Sequence, residues 1–466
     1  MNVAHAVDMA RGKVSHVLGR LALPLMVSLF FQNLYSYVST IFVSWLGEVP
    51  LAAVSMALPL GYLALSMAKG IAMGSVILMS YARGKGDEDG ARRTASAVLP
   101  LMTLFMGLFL FLMIPSVCRL FYLGIGADPS IADQGGGYIF WLVAGFPVMG
   151  YVMTVEALFT SRGDTMTPMK AMLLGNLLNM ALDPLFIFGL GWGVTGAAVG
   201  TLIGQSASGI YLSYKLHELF AEKMGFFPYQ GFLRAWRQIL GQGMFVTAAY
   251  LVSPVALIML NGILSRFGPG AIGAWNLMSR SEMMVMLPVM GLSNALATFT
   301  GFNLGRLDYN RVRQGLNFFL MVAWGIITPV AALFFFFPQE LIGLFRPTAE
   351  LQLLGGIAMQ ASGISMLFSP LLYAVNGMSQ GTKHPVYMMV MGFLYLICLR
   401  IPLANAFAAH WGQTGVYWSH PAATAGTALL AAFLLKKLLA ASRRRIETEK
   451  LATLQSANCT RTGIKG

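Results

Sequence analysis

The chain has 466 residues, of which 57% are apolar and only 11% charged, with a formal net charge of +13; its mean hydropathy is +0.68. A water-soluble domain needs far more charge on its surface, so the composition excludes an ordinary soluble fold and points to lipid as the solvent. The basic residues are scattered over short segments rather than gathered into one patch, which argues against nucleic-acid binding.

Taken in chain order, twelve apolar stretches each reach the roughly 20 residues that a bilayer crossing takes. The first six lie near 18–46, 51–80, 94–118, 136–160, 168–190 and 193–216. The second six lie near 238–265, 270–302, 313–338, 353–379, 385–409 and 414–437. None shows the short alternating segments of a transmembrane barrel. The expected fold is therefore an all-α integral membrane protein with twelve transmembrane helices in two six-helix lobes. Residues 1–17 form a short N-terminal segment, 18–216 the N-lobe and 238–437 the C-lobe. An interfacial linker over 217–237 carries Phe226, Phe227, Tyr229, Phe232 and Trp236, and the tail 438–466 is expected to fray.

The two halves repeat one another. Trp192-Gly193-Val194-Thr195-Gly196 returns about 219 positions later as Trp411-Gly412-Gln413-Thr414-Gly415. Gly84-Lys85-Gly86-Asp87 with Arg92 matches Gly305-Arg306-Leu307-Asp308 with Arg313, and Gly163…Pro168 matches Gly381…Pro385. Paired lobes around a central site are a transporter arrangement, and six spans per half place the pseudo-two-fold axis along the membrane normal.

Arg83, Lys85, Arg92, Arg93, Arg162, Lys170, Lys215, Lys223, Arg234, Arg237, Arg306, Arg311 and Arg313 fall in one set of alternate loops, with five more basic residues between Lys436 and Arg445. The other set holds only Arg119, Arg266 and Arg346. The positive-inside rule then places both termini in the cytoplasm. The first span follows a polar segment and is too long for a signal-peptide core, so no cleavable leader is expected. Cys118, Cys398 and Cys459 form neither a disulfide framework nor a metal spacing.

The chemistry lies in the few polar residues inside the spans. Asp183, in Gly175-Asn176-Leu177-Leu178-Asn179-Met180-Ala181-Leu182-Asp183-Pro184, is a carboxylate within an apolar helix, and such groups face protein or a wet cavity. Asn179 lies one turn earlier on the same face and is expected to hydrogen-bond it; Pro184 is expected to bend the helix. The pattern suits a proton or cation site, with a brace for a bent helix as the plainer reading. Glu156 in span four is a second buried acid, roughly 10 Å nearer the cytoplasm by helical rise, with Arg162 its nearest prospective partner. Arg280 and Glu282 in span eight read as a structural polar pair that reaches other helices. Arg400, beside Pro402, either snorkels outward or balances a carboxylate. His420 occupies the repeat position of Thr201 and places a titratable imidazole in span twelve.

With these residues in view, the chain resembles the multidrug and toxic compound extrusion (MATE) transporters from end to end. The likeness is carried by Pro24-Leu25-Met26…Leu34-Tyr35…Thr40-Ile41-Phe42-Val43, by Arg162-Gly163-Asp164-Thr165…Pro168, by Asn176…Asn179…Asp183, by Gly193…Gly196-Ala197-Ala198…Thr201, and by Ser279-Arg280-Ser281-Glu282…Pro288. It implies alternating-access export of organic cations against inward H⁺ or Na⁺, with no cofactor and a monomer in the inner membrane. In the DinF-like branch, the coupling network falls on Tyr35, Asn179, Asp183 and Thr201. Two positions depart from that pattern: Ser39 replaces the span-one Asp, and Glu156 stands where span four has Asn. Na⁺ at Asp183 is one option, and Pro24 is the implied hinge of span one. The acid that the other bacterial branch places in span seven is Ser253 here. A lipid-linked precursor flippase of the same superfamily is the alternative, and an unrelated transporter or channel a more distant one. No nucleophile, phosphate loop or metal spacing within the spans suggests an enzyme.

Overall fold

The structure, a computed structural model, describes residues 6–124, 126, 128–220, 231–345 and 348–462, with backbone only at 129, 130, 134, 219, 220 and 452–462. Lys223, Phe226, Phe227 and Tyr229 of the expected linker, and Arg346, lie outside the described residues. The described chain is helical nearly throughout. In the first half the helices are α1 (Val14–Ser44), α2 (Glu48–Gly84), α3 (Glu88–Gly107), α4 (Pro115–Gly124), α5 (Pro129–Thr160), α6 (Met166–Pro184) and α7 (Gly193–Phe220). The second half has α8 (Phe232–Leu264), α9 (Pro269–Gly305), α10 (Tyr309–Phe336), α11 (Pro338–Gly343), α12 (Ala349–Gly381), α13 (Val386–Phe393) and α14 (Ile401–Thr462).

Ten helices among the described residues are long and apolar enough to cross a membrane. The segment Val386–Leu451 counts once in that ten yet breaks at Gly412 (φ 59°, ψ −143°), so it holds two crossings. Helix α7 adds the remaining crossing; its polar face, with Thr201, Gln205 and Ser208, dilutes its hydropathy. The protein is thus an all-α membrane protein with twelve spans, six from each half. Large apolar side chains stand exposed in mid-span, among them Ile210 (72%), Ile258 (69%) and Leu429 (78%), as a lipid-facing surface requires. The short helices α4 and α11 close the third and ninth spans at matching places in the two halves.

Two compact units divide the chain. One comprises Leu23–Met79 and Asp89–Pro254 with Met1–Val7; the other comprises Asp8–Ala22, Ser80–Glu88 and Val255–Gly466. In the first unit α6 and α7 pack at very close range, and Ser208 Oγ donates across to the Ala171 carbonyl at 2.8 Å. Asp164, fully buried, ends the preceding turn by accepting from the N–H groups of Met166 (3.1 Å) and Thr167 (3.0 Å), the free amides at the start of α6. In the second unit α9 and α12 form the core pair, tied by Ser293 Oγ to the Tyr373 carbonyl at 2.8 Å. The Arg311 guanidinium of α10 reaches the carbonyls of Gly12 (2.9 Å) and Met9 (3.2 Å).

The repeat is visible in the backbone. Left-handed residues pair about 220 positions apart: Gly47 (φ 109°) with Gly268 (96°), Gly86 (77°) with Leu307 (61°), Gly163 (85°) with Lys383 (65°), and Gly193 (54°) with Gly412 (59°). A left-handed residue lets a helix stop and the chain reverse, which glycine does without a Cβ clash. Leu307 and Lys383 hold the same conformation with a side chain present. Among the described residues each half also holds a π-helical turn, Leu185–Gly189 in the fifth span and Leu394–Arg400 in the eleventh, about 210 positions apart and so out of the repeat register.

The expected frayed tail is instead a continuation of α14. Pairs one turn apart, Arg443–Glu447 (2.9 Å) and Arg445–Glu449 (3.0 Å), support it. The Arg445–Glu449 pair also docks it: Tyr81 donates to Glu449 at 3.1 Å and accepts from Arg445 at 2.6 Å, while Lys85 reaches Glu449 at 2.9 Å. Lys383, in the turn after α12, sets its ammonium 3.2 Å from the centre of the Tyr81 ring. Burial, with Arg445 and Lys85 adding repulsion, pulls this lysine down to about 7. The ring's attraction for a cation, about 0.5–2 kcal/mol, offsets only part of that.

Above about pH 10.4 the lysine is neutral whether docked or free, and below its docked value it is charged in both. Between those limits the undocked state binds the extra proton, so docking of α14 tightens as pH rises from 7 and is flat below it. A nitroxide on the exposed Thr448 should lose mobility across that window, and Lys383→Met should remove the dependence. A label equally mobile from pH 6.5 to 10 would contradict this account.

Candidate functional site

Three polar residues of α6, Asn176, Asn179 and Asp183, recur at three- and four-residue intervals and so share one face. Pro184 has no N–H to return to the preceding turn. The helix continues past it as the wide π turn, closed by Leu190 N–H to the Leu185 carbonyl at 2.8 Å.

Thr201 on α7 is the hub. Its hydroxyl donates to the Ala197 carbonyl of its own helix at 2.9 Å. With that proton committed, its lone pairs accept from Asn179 Nδ2 (3.1 Å) and from the Tyr35 hydroxyl of α1 (2.9 Å). The expected Asn179–Asp183 hydrogen bond is therefore not formed: the Asn179 amide crosses to α7. Asp183 is fully buried, and neither carboxylate oxygen makes a hydrogen bond of good geometry. The Ser39 hydroxyl of α1 is the one side-chain donor directed at it, and Tyr138 of α5 lies near enough to feel its charge. Gly200 makes room for it, since a Cβ there would sit 2.6 Å from Oδ1.

A cavity of about 100 Å³ opens beside this network, lined by Tyr35, Glu156, Asn176, Asn179, Thr201 and Gln205 among others. It takes water or a small ion and is well below the 300–1,000 Å³ of drug-sized pockets. Glu156 Oε1, Asn176 Nδ2 and Asn179 Oδ1 are buried around it without partners. The structure thus brings Tyr35, Ser39, Asn176, Asn179, Asp183, Thr201 and Glu156 to one region. The charge that acts on Glu156 is Lys69 of α2, whose ammonium also lies 4.9 Å from the Tyr250 ring centre. Pro24 sits within α1, which is continuous there.

The remaining candidates belong to the other unit. Glu282 meets His420, with Nε2 3.1 Å from Oε2, and accepts from Ser362 at 2.9 Å; Arg280 is exposed on the same helix. Arg400 does not snorkel outward: it is 2% exposed, donates to Ser419 at 2.8 Å and acts on Glu282. Sequence reasoning passed over Lys69, Tyr138 and Tyr395. Lys69 had a usable signal, a lone ammonium inside an apolar run; the two tyrosines had none.

Removing the hub should be costly. Thr201→Val leaves the Tyr35 hydroxyl and the Asn179 amide without an acceptor, at about 1–3 kcal/mol for each buried group. Thermal unfolding of the purified protein should fall for Thr201→Val and recover for Thr201→Ser. Equal melting of Thr201→Val and wild type would show that the hub carries no stability.

Ionisable groups buried beside ion-sized space, in a helical bundle sheathed by apolar side chains, define a membrane transporter. The MatE family model matches residues 24–185 and, separately, 243–405. The chain belongs to the MatE family, and it is a transporter and not an enzyme. Relatives include a FAD transporter of Shewanella oneidensis, 26% identical over 84% of this chain and 87% of that protein. A probable multidrug resistance protein NorM of Thermotoga maritima is 25% identical over 83% and 84%, and a multidrug export protein MepA of Staphylococcus saprophyticus 24% over 93% and 95%. Among solved structures, a MATE protein in complex with MaD5 superposes with a TM-score of 0.88 at 22% identity, over 95% of this chain and all of that one. A MOP superfamily transporter from Pyrococcus furiosus gives 0.86 at 22%, with the same coverage.

Proposed function

We propose that this protein exports organic cations in exchange for inward-moving H⁺ or Na⁺, by alternating access, as a monomer of the DinF-like branch. It resides in the inner membrane with both termini in the cytoplasm, an orientation supported by the bias of basic residues among its loops. The observation that carries the reading is the fully buried Asp183 carboxylate, on the same face of α6 as Asn176 and Asn179, which line an ion-sized cavity together with Glu156. Such a carboxylate is held most cheaply when a proton, a sodium ion or a cationic solute neutralises it. Species that compete for one charge in a site open alternately to either side are exchanged. A proton needs only the carboxylate; Na⁺ would add the oxygens of Ser39 and Asn179. The relatives described as multidrug proteins support export of small molecules.

Lys69 favours a second reading. An ammonium within the first unit, with a relative described as a FAD transporter, suits an anionic substrate.

Proteoliposomes loaded with a fluorescent organic cation, or with FAD, distinguish the readings under an imposed pH or Na⁺ gradient. The expected result is cation efflux under one gradient and none of FAD. Movement of FAD alone would replace this reading with the second one. Failure to move either solute would shift the assignment to a lipid-linked precursor flippase.

A further inference from the structure

The second unit buries a titratable cluster that exchange at Asp183 does not use. His420 of α14 stands at its centre. Its Nε2 lies 3.1 and 3.3 Å from the two oxygens of Glu282 on α9, so Nε2 carries the hydrogen and the carboxylate accepts. Its Nδ1 lies 2.8 Å from the Tyr395 hydroxyl, which donates to it. Ser362 of α12 completes the carboxylate's set. We propose that Tyr395, His420 and Glu282 form a second protonation site, in the C-terminal half, whose charge is read by the π-helical turn Leu394–Arg400. It stands independently of the exchange proposed at Asp183.

The hydrogen count explains why the chain of groups is two-state. With neutral imidazole every member is matched, one hydrogen to each contact. A proton arriving at Nδ1 meets the hydrogen of Tyr395, so the phenol must turn and accept instead. Its own hydrogen then needs a new acceptor, and Thr424 lies beside it. Thr424 has a lone pair for this, because its hydrogen is given to the His420 carbonyl at 2.8 Å while Ser365 holds its oxygen at 2.7 Å.

Charge reinforces the switch. Among the described residues, the charged groups acting on His420 are Glu282 from α9 and Arg400 from the π turn, while α12 brings the hydroxyl of Ser362 to Glu282 and that of Ser365 to Thr424. Glu282 and Arg400 balance while the imidazole is neutral. Arg400 lies over Trp275 at 4.6 Å, and its Nη2 has no acceptor, so it has no spare anion to absorb a second cation. Protonation therefore favours an arrangement in which Arg400 moves or water enters. Tyr395 and Arg400 both belong to the π turn, a helical irregularity that rearranges readily and recurs at functional sites.

Trp275 supplies the readout. Its ring meets that of His420 edge-on, 5.6 Å between centroids, and an imidazolium quenches indole emission more than an imidazole does. In the full chain with every other tryptophan replaced by phenylalanine, emission should fall on acidification in one step as the imidazole takes up its proton. His420→Gln should abolish the step, Tyr395→Phe should shift it, and Asp183→Asn should leave it in place. A step that survives His420→Gln, or no step in the parent, would overturn the proposal. Histidine-selective nitrogen NMR of the wild-type protein provides a check free of the tryptophan replacements. The resonance that is lost in His420→Gln must titrate over the same range, and one that stays fixed sinks the idea.

Discussion

Asp183→Asn should cut gradient-driven efflux of an organic cation by roughly 100-fold, the upper part of what one coupling site supplies. The same substitution should leave the folded protein at least as stable as before. The second half of this expectation makes the first interpretable. Asp183 is wholly buried and the Ser39 hydroxyl is the one side-chain donor directed at it, a contact that the amide oxygen of Asn can still accept. A buried charge without a counter-ion is a cost, and a neutral isostere removes it. Efflux and thermal unfolding, measured on one preparation, should therefore move independently. Wild-type efflux from Asp183→Asn would remove the carboxylate from the coupling mechanism. Lost efflux with a lower melting temperature would make it a structural brace.

Gly204→Val should lower the amount and melting temperature of folded protein. Gly196, Gly200 and Gly204 lie one turn apart on the face of α7 that meets α6. A Cβ at Gly204 would sit 2.5 Å from the Gly175 carbonyl oxygen and 3.1 Å from Asn179 Cβ. The first obstacle is backbone and cannot swing aside. Between spans there is no hydrophobic gain to offset the loss, since lipid is as apolar as the helix, and close packing of small residues is itself the source of association. Overpacking costs about 1–3 kcal/mol, and displacement of Asn179 would also loosen its bond to Thr201. Gly61→Val is the control, because a Cβ there meets nothing within 4 Å. It should change stability by less than about 0.5 kcal/mol. Equal melting of the two variants would show that α6 and α7 can separate without penalty.

Much of this was legible beforehand, for reasons that differ by element. The spans were readable because a bilayer demands length and apolarity of each one, and α9, expected over 270–302, runs Pro269–Gly305. Asp183, Asn179 and Thr201 were readable as polar residues where lipid tolerates few. Their actual bonding was not, because Asn179 had two acceptors within reach and only the approach of α7 decides for Thr201. The partner of Glu282 was likewise hidden, since His420 lies on another helix far along the chain and no local spacing predicts it. Fraying of the tail is expected of a chain end, although the spacing of Arg443 with Glu447 and Arg445 with Glu449 is a helical signal in plain view. Short helices such as α11 and the π turns left no comparable mark, since both depend on how neighbouring spans pack.

The paired left-handed turns bear on the history of the chain. A gene duplication accounts most directly for a family model that fits two successive stretches and for turns that recur between them. Since then the copies have parted in chemistry: Gly86 faces Leu307 across the repeat, and Gly163 faces Lys383. A side chain in that conformation carries strain of about 1–2 kcal/mol, tolerated only where surrounding structure dictates the path. Lineages descended from one ancestral half have thus been free to change the residue while keeping the bend. Backbone trajectory, rather than glycine itself, is the inherited character at these sites.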